Sequence, residues 1–372
     1  MLYKLESLRG IAACIVIMFH SPFSFNGVPF KFFQNSYLFV DFFFILSGFV
    51  MALAYGDRIT QGLNFKSYLI LRLGRIYPLL LMMLLVWVPY IVTKHYFFVA
   101  GYGGETDPFE TSNLGSFISN LLLIHSLGVH DYLSWNFPSW SISTEFFAYI
   151  TFYVATALID KKQTLIIPLV VSILSYGVII SLGRHTLDIT YDYGFFRCLG
   201  AFYLGVFLYR FNKCIKPAGF ILNNLAILEM VSLASIVIFV CFARSYPLLN
   251  IGVISAFTFA IYLFSQEQSG WVGKLLLTDP FRKVGLWSYS IYMVNQIIVS
   301  GFSNVCQYIL KWDLKGTLGY QSIVINLIIV LTVIILSKYS YQHIEQVFRR
   351  KSRLWAEKYD AIVRSPVKGN AA

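Results

Sequence analysis

Charge is scarce in this chain. Only 13% of its 372 residues are Asp, Glu, Lys or Arg, against 57% hydrophobic and 18% aromatic. Mean hydropathy is +0.66. That balance excludes an ordinary soluble domain and points to a polytopic membrane protein. Acid is scarcer than base, and the net charge is +11. In a membrane protein such an excess belongs first to cytoplasmic loops. No soluble basic domain exists to carry it, so nucleic acid is not an expected partner. Cysteine is sparse too. Cys14, Cys198, Cys214, Cys241 and Cys306 show neither metal nor redox spacing. Most lie in or beside apolar segments, where cysteine is a small packing residue. No Gly-rich phosphate loop, GxSxG elbow or HExxH helix occurs, and no metal site is expected. The small-residue cleavage pattern of a signal peptide is missing, so the N-terminus is expected to be an uncleaved first span.

Long apolar runs are abundant. They fall near 8–26, 35–55, 76–98, 114–129, 138–159, 163–182, 194–211, 219–243, 247–265, 286–309 and 320–341. A span needs roughly 20 mostly apolar residues. Loop charge decides which ones cross. Basic residues gather in the 56–75 loop (Arg58, Lys66, Arg72, Arg75), at Lys161 and Lys162, in 210–216, in 267–283, and in the FRRKSR tail. All five stretches are expected to be cytoplasmic, whereas the acidic 100–113 loop should face out. Segment 114–129 breaks this pattern if it crosses. It is short and carries Gly115, His125 and Gly128. It is therefore read as re-entrant or surface-lying, packed against protein. The fold class expected is all-α: a transmembrane bundle of about ten spans with both termini inside. Residues 1–348 form the membrane domain, and 349–372 a basic cytoplasmic tail.

Several polar groups lie inside these runs, where a charge costs about 2.5–3.5 kcal/mol and is a functional candidate by default. The stretch LESLRGIAACIVIMFH places Arg9 and His20 eleven residues apart. Eleven steps of about 100° return them to one helix face, about 16 Å apart along it. In the second span Asp41 is either a partner for an internal cation or a direct participant. Ser47 and Gly48 make a small break where another helix or a ligand can approach. Arg72 and Arg75 share a helical face, suited either to phosphates or to topology anchoring. Pro78 fits an early turn of the span after them. Ser141 and Glu145 share a face of the fifth segment. Glu145 and His20 are expected at similar depth, where a carboxylate and an imidazole form a base–orienter pair. In GLWSYSIYMVNQ, Ser288, Ser290 and Asn295 are placed to hydrogen-bond between helices.

These motifs resemble, in order, those of the acyltransferase-3 family of integral membrane acyltransferases. LESLRGIAACIVIMFH resembles the opening R-x10-H motif, and VDFFFILSGFV the second-span signature. RLGR resembles the RxxR motif and SISTE the SxxxE motif. GLWSYSIYMVNQ and YQHIEQVFRR resemble the late elements. The resemblance implies a ten-helix membrane domain that moves acyl groups, commonly acetyl, from coenzyme A on the cytoplasmic side. Acceptors in the family are often hydroxyls of bacterial surface or exported glycans. Carried over, His20 is the catalytic histidine and Arg9 its motif partner. Arg72 and Arg75 serve the donor, and Ser141 and Glu145 complete the acidic motif. Glu6 stands where Asp is frequent and keeps the charge. Asn295 stands where His is frequent and cannot carry a proton. No fused periplasmic domain follows in this sequence.

The resulting expectation is an O-acyltransferase of the bacterial inner membrane. Acetyl-coenzyme A is its co-substrate, with no tightly bound cofactor. The acceptor is a carbohydrate or lipid-linked glycan, with membrane lipid around the protein. The rival expectation is a proton-coupled transporter or flippase of a glycan or small anion, which intramembrane charges also suit.

Overall fold

The structure is a computed structural model. It describes residues 2–22, 30–102, 106–160, 162–184, 186–246, 249–312 and 319–364. Lys161, part of one expected basic turn, and Glu105, in the acidic loop, lie outside the described residues. Among the described residues there is no strand. The principal helices are α1 (Tyr3–His20), α2 (Phe39–Thr60), α3 (Phe65–Val99), α4 (Leu114–Leu121), α5 (Trp140–Val154), α6 (Ile166–Ser181), α7 (Gly194–Cys214), α8 (Leu225–Phe242), α9 (Leu249–Ser265), α10 (Asp279–Asn304), α11 (Gly319–Ser340) and α12 (Gln346–Arg364).

Five helical stretches are long and apolar enough to cross a membrane: Ser36–Thr60, Phe65–Val99, Phe137–Ile159, Leu225–Phe242 and Tyr320–Asp360. Ile166–Ser181 and Leu249–Ser265 are shorter apolar helices. The remaining long helices α1, α7 and α10 carry charges such as Arg9, Arg197 and Arg282 that lower their hydropathy. The surface pattern is that of a protein in lipid. Helix α11 exposes Ile323, Leu327, Leu331 and Ile335, and buries Ser322, Asn326, Ile329, Val333 and Ser337. Its polar groups turn inward and its large aliphatic groups outward, the reverse of a water-soluble helix. The protein is an integral membrane helix bundle.

Small residues set the closest crossings. A Cβ added at Gly48 would lie 1.8 Å from the Phe202 carbonyl oxygen, so α7 lies directly on α2 there. The break expected at Ser47–Gly48 is thus a helix–helix contact. Gly10 of α1 likewise meets Gly285 of α10, with an added Cβ 2.6 Å from the Gly285 nitrogen. Helix α4 is only 8 residues long, a rise of about 12 Å. It does not cross. Asn113 caps it by accepting from the Ser116 amide, and Leu123 turns the chain away at φ 61°.

Two expectations about α3 need correction. The helix begins at Phe65, capped by Asn64, so Arg72 and Arg75 lie on it and not in a loop. Pro78 therefore stands in the helix interior, where it removes the hydrogen bond to the Gly74 carbonyl. The basic stretches do gather at one end of the bundle. Lys213 pairs with Asp57 at 3.0 Å, Arg282 lies over the Tyr3 ring, and Asn212 donates to Ser265. Lys4 donates to the carbonyls of Gln266 and Gln268, both at 2.6 Å. His95 meets Asp107 at the opposite end of α3. The stretch after residue 348 continues as α12 and packs along α3, burying Ser352 and Ala356.

Candidate active site

A cavity of ≈ 90 Å³ lies among α1, α2, α3, α5 and α10. That space holds on the order of six waters. It brings together seven of the expected residues: Arg9, Ser47, Arg72, Arg75, Ser141, Glu145 and Ser288. Helical spacing explains each local pair, since Arg72/Arg75 and Ser141/Glu145 sit three and four apart on their helices.

The wall is a connected polar surface. Arg9 Nε donates to Ser288 Oγ at 2.7 Å, and Arg9 Nη2 reaches the Gly285 carbonyl at 3.4 Å. Tyr149 donates to Glu145 Oε1 at 2.6 Å, and its hydroxyl meets Ser47 Oγ at 3.2 Å. Ser141 Oγ and the Tyr292 hydroxyl are 2.8 Å apart, and both reach the Pro138 carbonyl. Arg72 is buried. It is held by the Tyr55 hydroxyl and Met51 Sδ, lies over the Tyr55 ring, and leaves its Nε without a partner. Arg75 carries no hydrogen bond among the described residues.

Arg72 and Arg75 face a second space as well. Together with Val50 they also line a second, larger cleft of ≈ 430 Å³ at the basic end of the bundle. In the other direction the cavity follows α2 from Met51 to Val40, about 16 Å along the helix. One turn beyond Val40 is Tyr37, whose ring centroid is 6.1 Å from that of Phe19, the neighbour of His20.

The expected His20–Glu145 pair is not formed. Glu145 lies on the cavity wall, whereas His20 does not. The reason is helix register. Residue 20 was expected about six residues inside a span reaching 26, but α1 runs Tyr3–His20 and stops there. The shift is about 9 Å, which moves the imidazole to the helix end while Arg9 occupies the cavity. His20 is half-buried against Phe19, with ring centroids 5.0 Å apart, and has no hydrogen bond among the described residues.

Asp41, Glu6, Ser290 and Asn295 fall outside the cavity. Asp41 is fully buried and pairs with Arg197 through contacts of 2.6, 3.0 and 3.2 Å, so it takes the cation-partner role. Glu6 sits in the first turn of α1, with its carbonyl against Gly285. Asn295 is buried and bonds within its own helix, to the Tyr292 carbonyl at 2.6 Å. Ser288 and Ser290 do bond between helices, Ser290 to Glu345 Oε2 at 3.3 Å.

Sequence reasoning missed Tyr149, Tyr292, Arg197 and Glu345. Arg197 and Glu345 had a usable signal, being charged residues within or beside apolar helices. The two tyrosines had none among 25 tyrosines.

Comparison with known proteins gives the site its context. A 36% identical stretch of 89 residues relates the chain to "Protein 2 in picA locus" of Rhizobium radiobacter. The match covers 24% of this chain and 44% of that relative, so the chain spans under half of the relative's length. No solved structure matches. The model of the family described as an acyltransferase domain matches residues 2–339, and the chain belongs to that family.

Proposed function

We propose that the protein is a membrane-embedded O-acyltransferase. It moves an acyl group, acetyl in the simplest case, from cytoplasmic acyl-coenzyme A to a hydroxyl of a bacterial surface or exported glycan. The observation that carries this reading is that Val50, Arg72 and Arg75 line both the arginine-rich cleft and the narrow cavity. A bulky anionic head remains in the cleft, while a thin thioester arm enters the cavity. Guanidinium groups suit phosphates by their fixed fork of donors. The basic end of the bundle is then cytoplasmic, with both termini on that side of the inner membrane.

The arm runs outward along α2 toward the level of His20. Neutral His20 takes the proton from an acceptor hydroxyl arriving from outside. The oxygen attacks the thioester carbonyl, a C–O bond forms, and the C–S bond breaks. The imidazolium returns the proton to the departing thiolate. Glu145 does not orient His20 in this scheme. Held by Tyr149, it offsets the charge of Arg9 and Arg75 along the path of the arm.

The test is turnover by the purified full chain in sealed proteoliposomes, given labelled acetyl-coenzyme A and an extract of surface glycans. Label should pass to glycan, and His20→Ala should abolish transfer while the protein stays inserted. Glycan movement across the membrane without label transfer would establish the transporter reading instead. A His20→Ala protein with near-normal turnover would remove the base.

A further inference from the structure

Helix α12 is built as part of a binding site. Its residues Arg349, Ser352, Arg353, Ala356, Glu357 and Asp360 all line the outer cleft. Their spacing of three and four puts them on one helical face. The opposite wall comes from α2, including Tyr55 and Arg58, and the floor from Arg72 and Arg75 of α3.

The helix is pinned at both ends. Near its start, Glu345 is buried between Ser290 Oγ, at 3.3 Å, and Arg349, at 3.6 Å. Near its end, Ser67 of α3 donates to Asp360, and Lys66 lies 5.8 Å from the Tyr359 ring centroid. Between them α3 and α12 touch: a Cβ added at Gly74 would lie 2.1 Å from Ser352 Cβ.

The charge in the cleft exceeds what the protein balances. Five arginines line it against Glu357 and Asp360; Arg349 also has Glu345 at 3.6 Å, and Asp360 is engaged by Ser67. Arg353 is exposed and has no ion-pair partner among the described residues. Arg72 is only 8% exposed, lines the cleft, and leaves its Nε without a partner. A buried cationic donor left open costs free energy unless a ligand fills it. Five guanidinium groups around one cleft suit a ligand with several phosphates.

We infer that α12 is the third wall of the donor port, and that Arg349 and Arg353 grip the phosphates of the donor's nucleotide. The inference rests on the acyl-coenzyme A reading above and adds a specificity determinant to it. Coenzyme A carries a pyrophosphate and a ribose 3′-phosphate, whereas dephospho-coenzyme A lacks the latter. The outer arginines select the first over the second.

Equilibrium binding of both ligands to the full chain in zwitterionic nanodiscs tests this. Arg353→Gln should weaken coenzyme A about tenfold, equivalent to about 1.4 kcal/mol. It should also lower the preference over dephospho-coenzyme A, and Arg353→Lys should restore part of both. Arg349→Gln should act in the same direction. A merely structural role would not move the ratio of the two ligands. If the wild-type protein binds coenzyme A and the variants keep the same affinity and ratio, the port is overturned while the donor reading stands. If the wild-type protein binds no coenzyme A, both fall. If the variants instead lose only co-purified anionic lipid, the cleft is a lipid site and the inference is wrong.

Discussion

Asp41 separates scaffold from chemistry, and its replacement can be worked from the structure. Its carboxylate and the Arg197 guanidinium are 0% and 1% exposed, with contacts of 2.6, 3.0 and 3.2 Å. Arg197 also donates to the Ile189 and Tyr37 carbonyls, at 3.1 and 2.9 Å. Asp41→Ala removes the anion and leaves the cation anchored where it cannot reach water. Stranding one partner of a buried pair costs about 3–5 kcal/mol. Replacing both, as in Asp41→Leu with Arg197→Met, removes the stranded charge and should recover a large part of that loss. The assay is reversible unfolding in mixed micelles, run as a double-mutant cycle. A coupling well above 1 kcal/mol is expected, with turnover per folded molecule largely kept in the double variant. An Asp41→Ala protein of wild-type stability that has lost turnover would refute the reasoning and return Asp41 to the chemistry.

Other expectations follow from particular contacts. Gly48→Val should destabilise by about 3 kcal/mol or more, since its Cβ would meet the Phe202 carbonyl oxygen at 1.8 Å; expression and melting of the variant check this. Glu145→Gln should lower turnover about tenfold or more by exposing the arm to unbalanced cations, and unchanged kcat would remove Glu145 from the path. Cysteines at Glu110 and Lys351 should label from opposite faces of the membrane, because the basic stretches share one end of the bundle; same-side labelling would refute this topology. The Phe109 amide and His95 hold the Asp107 carboxyl below its usual range. A depressed folded value means the contribution is present above the unfolded value, about 4, and is lost as pH falls through the folded one. Amide exchange at Phe109 should therefore be constant above about pH 5 once corrected for intrinsic rate, and a change near pH 6 would contradict the assignment.

Much of the architecture was legible because helical period and apolar length are local properties. The exclusion of 114–129 as a span rests on its length and on loop charge, and the shared faces of Arg72 with Arg75 and of Ser141 with Glu145 rest on spacing. The failures share one cause. Period tells which way a side chain points around a helix, but not how deep it lies or what stands opposite. The first apolar run reads as reaching 26, whereas α1 ends at His20. Arg197 stands 156 positions from Asp41, and only the fold joins them. Glu345 sits at the edge of a stretch read as tail, and one of its two partners, Ser290, stands 55 positions away.

The arginines themselves divide into two kinds, and the division locates the function. Arg197 is paired with Asp41, and Arg210 with Asp160 and the Thr164 carbonyl, though the Arg210 Nε is left without a partner. Both are buried, both have a carboxylate, and neither lines the cavity or the outer cleft. Arg9 has a serine and a backbone carbonyl, and Arg72 has a tyrosine and a sulfur. Arg75 carries no hydrogen bond among the described residues, yet it faces both spaces. A bundle that needed these cations only for packing would gain by closing them as it closed Arg197, since an uncompensated charge in a low-dielectric interior is costly. Leaving them without a direct carboxylate partner suits an anion that arrives from elsewhere. Arg353 lines the outer cleft, Arg9 lines the cavity, and Arg72 and Arg75 line both, while Arg197 and Arg210 lie together on α7. That arrangement fits a path for a ligand whose charge is concentrated at one end, and whose far end travels on alone into a space of ≈ 90 Å³.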